Sequence, residues 1–275
     1  DEVGTQFGKK LVERQELIEI LDLDPDKKTA CIFVHMFWDA TFFWGDDLFG
    51  NYERWFREVI GVAIDNRDLN WIVKIHPANL VKSRRDKHAG THSELEVMSQ
   101  LVDELPSHVK VMPADHPVST FSLFHLIDYC ITVRGTVGLE AACFGIPVIT
   151  GGTGRYDRHG FTRDSETKEE VLATLSDLTS VERLSEHETE LARRYAWGVL
   201  IARPLTTKCI EFGYEKTENA SLTARLTEAG WNGIDQAEDV VQLAQWIRGG
   251  AADFLSEPPS SSESIRDKLA QGAAD

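Results

Sequence analysis

One short segment of the chain combines glycines, basic and hydroxyl side chains and a carboxylate at spacings suited to binding an anion. Gly135 and Gly138 allow the backbone to come close to a ligand. The short helix that we expect to begin near Val137 points its free N–H groups at whatever lies above this loop, which suits a phosphate or pyrophosphate. Glu140 falls in the first turn of that helix, where its carboxylate can reach a ribose hydroxyl. These features predict a nucleotide held at the carboxyl end of a parallel sheet.

Two further side chains of the same loop, Arg134 and Thr136, can donate hydrogen bonds to phosphate oxygens. The alternative is a plain glycine turn in which Glu140 only caps the helix. The turn and apolar strand that follow over residues 144–148 (Phe-Gly-Ile-Pro-Val) favour the binding interpretation.

A second candidate is the histidine of the stretch Lys-Ile-His-Pro-Ala-Asn over residues 74–79, which ends another apolar run. Proline ends the strand ladder and leaves His76 at the carboxyl edge of the sheet. A histidine there can donate to a phosphate oxygen, and its charge assists when the ring is protonated. The alternative is a loop histidine that hydrogen-bonds only to backbone. Lys74 and Asn79 are expected to line the same cleft.

Three other loops follow strand ends. The first carries His35 and Asp39 among the aromatic residues of 35–44, and it either lines a pocket or packs as an aromatic loop. In the second, Ser119 is expected to cap the next helix, with a base or ribose contact as the alternative.

The third of these loops, over residues 151–162, is rich in glycine and carries Arg155, Tyr156 and Arg158. Such a loop can close over a negatively charged sugar or phosphate. The alternative is a flexible surface loop.

The sequence lacks the motifs of several common kinds of functional site. His35, Asp39 and His76 do not have the spacing of metal ligands, so no metal site is expected. Neither a serine nucleophile elbow nor a Walker lysine is present. The four cysteines are scattered without a CxxC pair, which predicts free thiols in a reducing compartment.

The charge and hydropathy of the chain restrict the kinds of molecule that it can bind. The chain has 275 residues and a formal net charge of -16, a field that repels nucleic acid. The basic run over residues 82–87 is expected to be a solvated loop. The sequence shows neither a signal peptide nor an apolar run of roughly 20 residues, so we expect a cytoplasmic protein. Because the sequence begins with a charged segment and without Met, we expect it to be part of a longer protein.

The periodicity of apolar residues predicts alternating strands and helices. Strands are expected over 29–35, 70–76, 109–112, 126–133 and 147–150, and helices over 52–66, 94–105 and 119–125 and from 137. The strands show little polar alternation, which indicates a parallel sheet covered on both faces. The predicted fold class is therefore α/β, a Rossmann-like doubly wound parallel sheet with flanking helices.

The same pattern predicts four segments along the chain. Residues 1–26 form a helix (9–23) and linker, and residues 27–182 form the Rossmann-like nucleotide-binding domain. Residues 183–256 carry helices over 186–201 and 236–256, and residues 257–275 form a flexible tail rich in proline and serine.

Taken together, these motifs resemble the capsule polysaccharide biosynthesis family, whose members include bacterial β-Kdo transferases. The matching segments are residues 35–40, 71–79, 119–124, 132–149 and 152–162, and the likeness runs from about residue 20 to 205. The long combined pattern is specific, whereas no single element is.

The resemblance implies one half of a GT-B glycosyltransferase, the C-terminal domain that binds the donor. A nucleotide-sugar donor, CMP-linked as for Kdo, and a glycan or glycolipid acceptor are then expected, with no cofactor besides the substrate. By resemblance, His76 contacts the phosphate, Glu140 the ribose and residues 134–138 form the phosphate loop. The loop residues Arg155, Tyr156 and Arg158 are positioned for the donor sugar.

The other half of such an enzyme carries the acceptor contacts and the candidate catalytic carboxylate. We therefore expect a missing N-terminal domain or a partner chain, and peripheral association with the inner face of the cytoplasmic membrane. The catalytic residue stays unassigned, although Asp39 is the best carboxylate on the cleft side.

Three alternatives stay open at this point. A sugar-nucleotide 2-epimerase shares the fold and a comparable phosphate loop, and it needs no acceptor. A transferase of polyol phosphate from a CDP-linked donor is a further relative. A binding module would hold a nucleotide or glycan without doing chemistry.

Overall fold

The computed structural model describes residues 9–37, 39, 47–79, 93–205, 207–215 and 221–250. The predicted aromatic stretch 41–44, the basic run 82–87 and the tail 257–275 lie outside the described residues. The chain divides into two compact units, Asp1–Arg193 and Arg194–Asp275. Within the described part of the chain, no helix is long and apolar enough to cross a lipid bilayer.

The first unit is built on a parallel sheet of five strands. These are β1 (Thr29–Phe33), β2 (Asn70–Lys74), β3 (Val109–Met112), β4 (Tyr129–Thr132) and β5 (Val148–Thr150). Their order in the sheet is β3-β2-β1-β4-β5, and each neighbouring pair is parallel. Every residue of β1, β2, β4 and β5 is buried. The predicted Rossmann-like doubly wound α/β fold is therefore confirmed, and the strand order reverses between β1 and β4.

Helices cover both faces of this sheet. In chain order they are α1 (Arg14–Ile20), α2 (Tyr52–Asp65), α3 (Ser93–Ser99), α4 (Thr120–Phe124), α5 (Thr136–Cys143), α6 (Lys168–Ser176) and α7 (Glu186–Trp197). Apolar residues of α2, α3 and α6 pack with alternate strand residues in one large core. On the opposite face, α1 packs on α4, and α5 packs on β4 and β5.

Local signals in the sequence set the ends of these elements. Ser119 caps α4, as the sequence predicts, because its hydroxyl accepts the Phe121 N–H at 3.3 Å. Helix α5 ends at Cys143, and Gly145 two residues later has a φ of +76°, in the left-handed region that glycine adopts without a steric penalty. The turn at Gly145 lets the chain enter β5 directly.

Several predicted elements are longer than the observed ones, the helix 94–105 among them, which ends at Ser99; two cases show why. The predicted strand 126–133 shortens to β4 because Ile127 still belongs to the turn after α4, its N–H donating to the Leu123 carbonyl at 2.9 Å. The predicted helix 9–23 shortens to α1 because the preceding residues pair elsewhere. Lys10 forms a parallel bridge with Val118, so this segment packs on the first unit and is not a separate linker.

The predicted domain boundary at 182/183 differs from the division of the structure, in which the first unit continues to Arg193. The start of α7 is tied to the sheet domain by side-chain contacts. Arg163 pairs with Glu188 at 2.6 Å, and Arg193 Nε donates to the Cys143 carbonyl at 3.0 Å. These contacts cross the predicted boundary.

The second unit contains elements that the sequence pattern did not predict. An antiparallel pair, β6 (Ile210–Glu215) with β7 (Ser221–Leu226), precedes α8 (Glu228–Gly233) and α9 (Glu238–Gly249). The alternation of Ile210 and Phe212 with polar neighbours was the available strand signal. The predicted helix 186–201 ends as α7, followed by a π-helical turn over Gly198–Ala202. The predicted helix 236–256 appears as α9, which ends at a left-handed Gly250.

Candidate functional site

A cavity of about 400 Å³ lies where β1, β2 and β4 end, at the point where the strand order reverses. Open α/β sheets bind ligands at such a point. The structure brings half of the predicted site residues together in its wall, namely His35, Lys74, His76, Ser119, Gly135, Thr136 and Glu140. All of them belong to the first unit.

His76 lies directly after β2 and is held in one orientation by its own loop. Its Nδ1 accepts the Ala78 N–H at 3.2 Å, so the neutral ring carries its proton on Nε2. Asn79 does not line the cavity. Its side-chain amide donates to Glu94 Oε1 at 2.6 Å, which fixes the loop that carries His76.

The start of α5 forms the opposite wall of the cavity. Gly135 is the N-terminal cap of this helix and offers no side-chain oxygen to its first N–H groups. The Gly138 N–H donates to the Gly135 carbonyl at 3.0 Å, and the N–H groups of Thr136 and Val137 stay available to a ligand. The hydroxyl of Thr136 hydrogen-bonds the Glu140 carboxylate one turn later. Burial raises the pKa of Glu140, and the Thr136 hydrogen bond offsets part of this rise.

Gly138 has a different role from the one its spacing predicts. It is buried, and a Cβ placed there would overlap the hydroxyl and the ring of Tyr156. Tyr156 is only 3% exposed, and its hydroxyl donates to the Gly135 carbonyl at 2.6 Å. Gly138 therefore makes room for a tyrosine that supports the loop from below, and neither residue lines the cavity. The predicted contact between Tyr156 and a donor sugar finds no support in this geometry.

His35 lines the cavity but serves the loop after β4. Its Nε2 accepts the Val133 N–H at 3.1 Å and lies 3.0 Å from the Thr132 hydroxyl. The ring stacks on Tyr52 with centroids 4.5 Å apart. Burial, and to a lesser extent electrostatic interactions with His76 and Arg134, lower the pKa of His35 to about 3. At neutral pH His35 is therefore an uncharged acceptor that fixes the backbone.

Lys74 is the last residue of β2 and places a buried ammonium at the carboxyl edge of the sheet. It is 3% exposed and donates to the carbonyls of Ile75 at 3.1 Å and Pro113 at 3.3 Å. Burial is the main reason why the pKa of Lys74 falls to about 8. Because this pKa lies above neutral pH, the group stays charged there and attracts an anion in the cavity.

The loop after β5 is organised by one carboxylate. Asp164 accepts the hydroxyls of Thr150 at 2.8 Å and Thr162 at 2.7 Å, and the N–H of Arg158 at 2.8 Å. The side chains of Arg155 and Arg158 are exposed, and Arg158 pairs with Glu166 at 3.1 Å. Neither arginine lines the cavity, so their contact with a donor sugar stays a prediction.

Two other predicted residues also lie outside the cavity wall. The guanidinium of Arg134 lies over the Tyr52 ring, 5.7 Å from its centroid, and Arg134 is buried. Asp39 is exposed in the turn after β1. A phosphate contact by the Arg134 side chain and a catalytic role for Asp39 stay predictions.

Sequence reasoning gave no binding role to several residues that line the cavity, among them Phe121 and Thr132, whereas Thr120 ends the loop for which a base or ribose contact was the alternative. Thr120 and Phe121 belong to α4, the helix that Ser119 caps, and the available signal was their position just after a loop at the carboxyl edge. Thr132 was hidden inside the predicted strand 126–133. Its place as the last residue of β4 depends on the exact end of that strand.

The family model for "Capsule polysaccharide biosynthesis protein" matches residues 23–183, more than half of the chain. No protein of curated function matches the sequence significantly.

Similar solved structures include two of KpsC from Thermosulfurimonas dismutans. Its beta Kdo 2,4 transferase is 20% identical over 67% of this chain and 47% of its own, with a TM-score of 0.39. Its beta Kdo 2,7 transferase is 17% identical over 88% of this chain and 64% of its own, with a TM-score of 0.38.

A third similar structure is the UDP-GlcNAc 2-epimerase from Methanocaldococcus jannaschii. It is 17% identical over 67% of this chain and 48% of its own, with a TM-score of 0.42. The chain thus spans about half to two thirds of the length of these structures. At such low identities and TM-scores, the family assignment rests on the family model.

Proposed function

The chain belongs to the capsule polysaccharide biosynthesis protein family, and we propose that it binds the nucleotide-sugar donor of a glycosyltransferase that builds a surface polysaccharide or glycolipid. The observation that carries this proposal is the convergence of complementary groups on one cavity. Donors for an anion and a carboxylate for a ribose line the same space where the strand order reverses. This is the chemistry that a nucleotide needs.

Each part of a nucleotide has a matching group in the cavity wall. The Nε2–H of His76 and the free N–H groups at the start of α5 suit the phosphate. The ammonium of Lys74 adds a positive charge that burial protects from screening by salt. Glu140 accepts hydrogen bonds from ribose hydroxyls, and Thr136 holds its carboxylate in place.

These groups also suggest how the chain contributes to transfer. When the sugar leaves, negative charge grows on the phosphate of the nucleotide. Donors held in fixed positions by the fold stabilise that charge without having to reorganise. His76 and Lys74 are fixed in this way, because the Ala78 N–H and two backbone carbonyls hold them. The chain would thus act mainly by positioning the donor and stabilising its leaving group.

We propose that the acceptor site and the catalytic carboxylate belong to a further domain or a partner chain, so we assign no catalytic residue within this chain. The finer proposal for the donor is a CMP-linked sugar such as CMP-Kdo, which the resemblance implies. An acceptor of glycan or glycolipid type, and a place at the inner face of the cytoplasmic membrane, belong to the same proposal.

The first experiment is calorimetric titration of the purified chain with CMP, UDP, CDP and GDP. Preference for CMP would support a transferase with a CMP-linked donor, and preference for CDP would favour a polyol-phosphate transferase. Preference for UDP would favour the 2-epimerase alternative, which acceptor dependence then tests. Failure to bind any nucleotide would contradict the proposed function.

A histidine pair gives this titration a matched control. His76→Ala should lower the affinity for the preferred nucleotide about tenfold, since a hydrogen bond to a charged group is lost. His187→Ala removes an exposed histidine of α7 and should leave the affinity unchanged. Equal affinities of wild type and His76→Ala, with both folded, would remove His76 from the site.

A further inference from the structure

An exposed aromatic ring stands at the cavity beside the polar groups already described. Phe121, in the first turn of α4, lines the cavity and is 51% exposed. Its ring packs edge-on against Phe124 at 5.7 Å and against Phe144 at 6.4 Å between centroids. Phe124 is buried, so the ring of Phe121 has a fixed support on one side and an open surface on the other.

The spacing along α5 relates this ring to the rest of the cavity. Thr136, Glu140 and Phe144 are four residues apart. Thr136 and Glu140 lie on one face of α5, and Phe144 is the C-terminal cap of that helix, so the three follow one another at steps of about 6 Å. The free N–H groups are at the Thr136 end and the ribose-binding carboxylate is one turn further. The next turn brings Phe144, whose ring contacts Phe121. The phosphate, ribose and base of a nucleotide follow one another in the same order and at similar steps.

We propose that Phe121 is the stacking surface for the base of the bound nucleotide. The inference rests on the proposed function, and it adds the site that holds the base. With the phosphate at the start of α5 and the ribose at Glu140, the base extends toward the turn where Phe121 and Phe144 meet. An exposed ring there stabilises a base by stacking, because both have flat polarisable faces. Stacking does not select one base strongly, so the choice among bases depends on other groups.

The test compares a nucleotide with the same molecule lacking its base. CMP and ribose phosphate are titrated by calorimetry into wild type and Phe121→Ala. We expect Phe121→Ala to lower the affinity for CMP about tenfold and to leave the affinity for ribose phosphate unchanged. Phe121→Tyr keeps the ring and should keep the affinity of wild type, whereas Phe121→Leu keeps only apolar volume and should behave like Phe121→Ala.

A second truncation controls for the loss of an exposed apolar side chain. Leu101→Ala lies after α3, outside the cavity wall, and should change neither affinity. If Phe121→Ala weakened both ligands equally, or neither, the stacking role would be overturned. If wild type bound ribose phosphate as tightly as CMP, this inference alone would fail. If wild type bound neither of these molecules and none of the other nucleotides of the first titration, both the inference and the proposed function would fail.

Discussion

Two glycine-containing loops at the carboxyl edge of the sheet differ in a way that their composition does not reveal. The first loop, taken as the turn between β4 and α5 with the beginning of α5, lines the cavity with Gly135, Thr136 and Glu140. The loop after β5 places the Tyr156 ring beneath the first loop and exposes Arg155 and Arg158. Both loops carry glycine and arginine after a buried strand, so the sequence predicts ligand contact for both.

Residue types are therefore enough to identify a candidate loop, but burial determines what each side chain in it contacts. The Tyr156 hydroxyl donates its hydrogen bond to the Gly135 carbonyl. Tyr156 can therefore affect ligand binding only by holding the first loop in place. Residues of the first loop face the cavity because α5 begins there and leaves its N–H groups open. We therefore expect substitutions in the first loop to affect binding and substitutions beneath it to affect folding.

The largest effect is expected where the two loops touch. Gly138→Ala places a methyl group against the hydroxyl and ring of Tyr156, and such overpacking costs about 2–3 kcal/mol in the free energy of unfolding. Urea denaturation measures this loss. Tyr156→Phe removes the hydroxyl and alone should cost about 1 kcal/mol. The double variant should recover part of the Gly138→Ala loss, because one of the overlapping atoms is then gone.

A second glycine of the same unit gives the matched control. Gly61 lies within α2 with open space around its Cβ position, so Gly61→Ala should raise the free energy of unfolding by about 1 kcal/mol. If Gly138→Ala proved as harmless as Gly61→Ala, the two loops would not be packed as described.

The second largest effect is expected on nucleotide binding, from a substitution in the first loop. Glu140→Gln should weaken nucleotide binding by about 2 kcal/mol, because it removes a charged hydrogen-bond acceptor. The same change should not destabilise the fold, since burial already disfavours the charged form of Glu140. Calorimetry and thermal unfolding measure the two quantities. Glu186→Gln, on the exposed side of α7, should change neither, and a large fall in stability for Glu140→Gln would assign that residue a structural role.

Lys74 gives binding and stability opposite pH dependences. Its pKa in the folded chain is about 8, well below the usual 10.5. Anion affinity should be nearly full at pH 7 and fall about tenfold by pH 9 as the ammonium loses its proton. In the window from pH 8 to 10.5 the unfolded chain binds more protons at this residue, so its contribution to stability rises with pH.

Titration with CMP at pH 7, 8 and 9 measures the binding part, since the phosphate is fully ionised over the upper half of this range. The titratable groups around Lys74 are Lys9, Asp115, Cys31 and His116. Lys74→Met should flatten the pH dependence of affinity. If its profile matched that of wild type, one of those neighbours would be the responsible group.

The smallest effect belongs to the exposed arginines of the loop after β5. The ion pair of Arg158 with Glu166 is exposed to solvent, and such pairs contribute less than about 1 kcal/mol. Arg158→Ala should therefore change the affinity for CMP less than about twofold and leave the unfolding midpoint nearly unchanged. A loss as large as that of Glu140→Gln would mean that this loop does contact the ligand.

Much of the fold follows from the sequence because local signals agree with it. Apolar runs without alternation predicted the five parallel strands, whose residues are buried except in β3. Ser119 predicted the start of α4. The hairpin of β6 and β7 was missed because its short, partly exposed strands carry a weak alternating pattern. The predicted element ends also differed from the observed ones, since they depend on contacts with distant residues such as the bridge from Lys10 to Val118.

For the site, the sequence alone determined which loops lie together, because the carboxyl ends of parallel strands share one edge of the sheet. It therefore identified the neighbourhood of His76, Gly135 and Glu140. Only the tertiary structure decided that Tyr156 packs below the loop and that Phe121 faces the cavity. The physical reason is that a side chain's contacts depend on which elements pack around it, and residue type and spacing do not encode that packing.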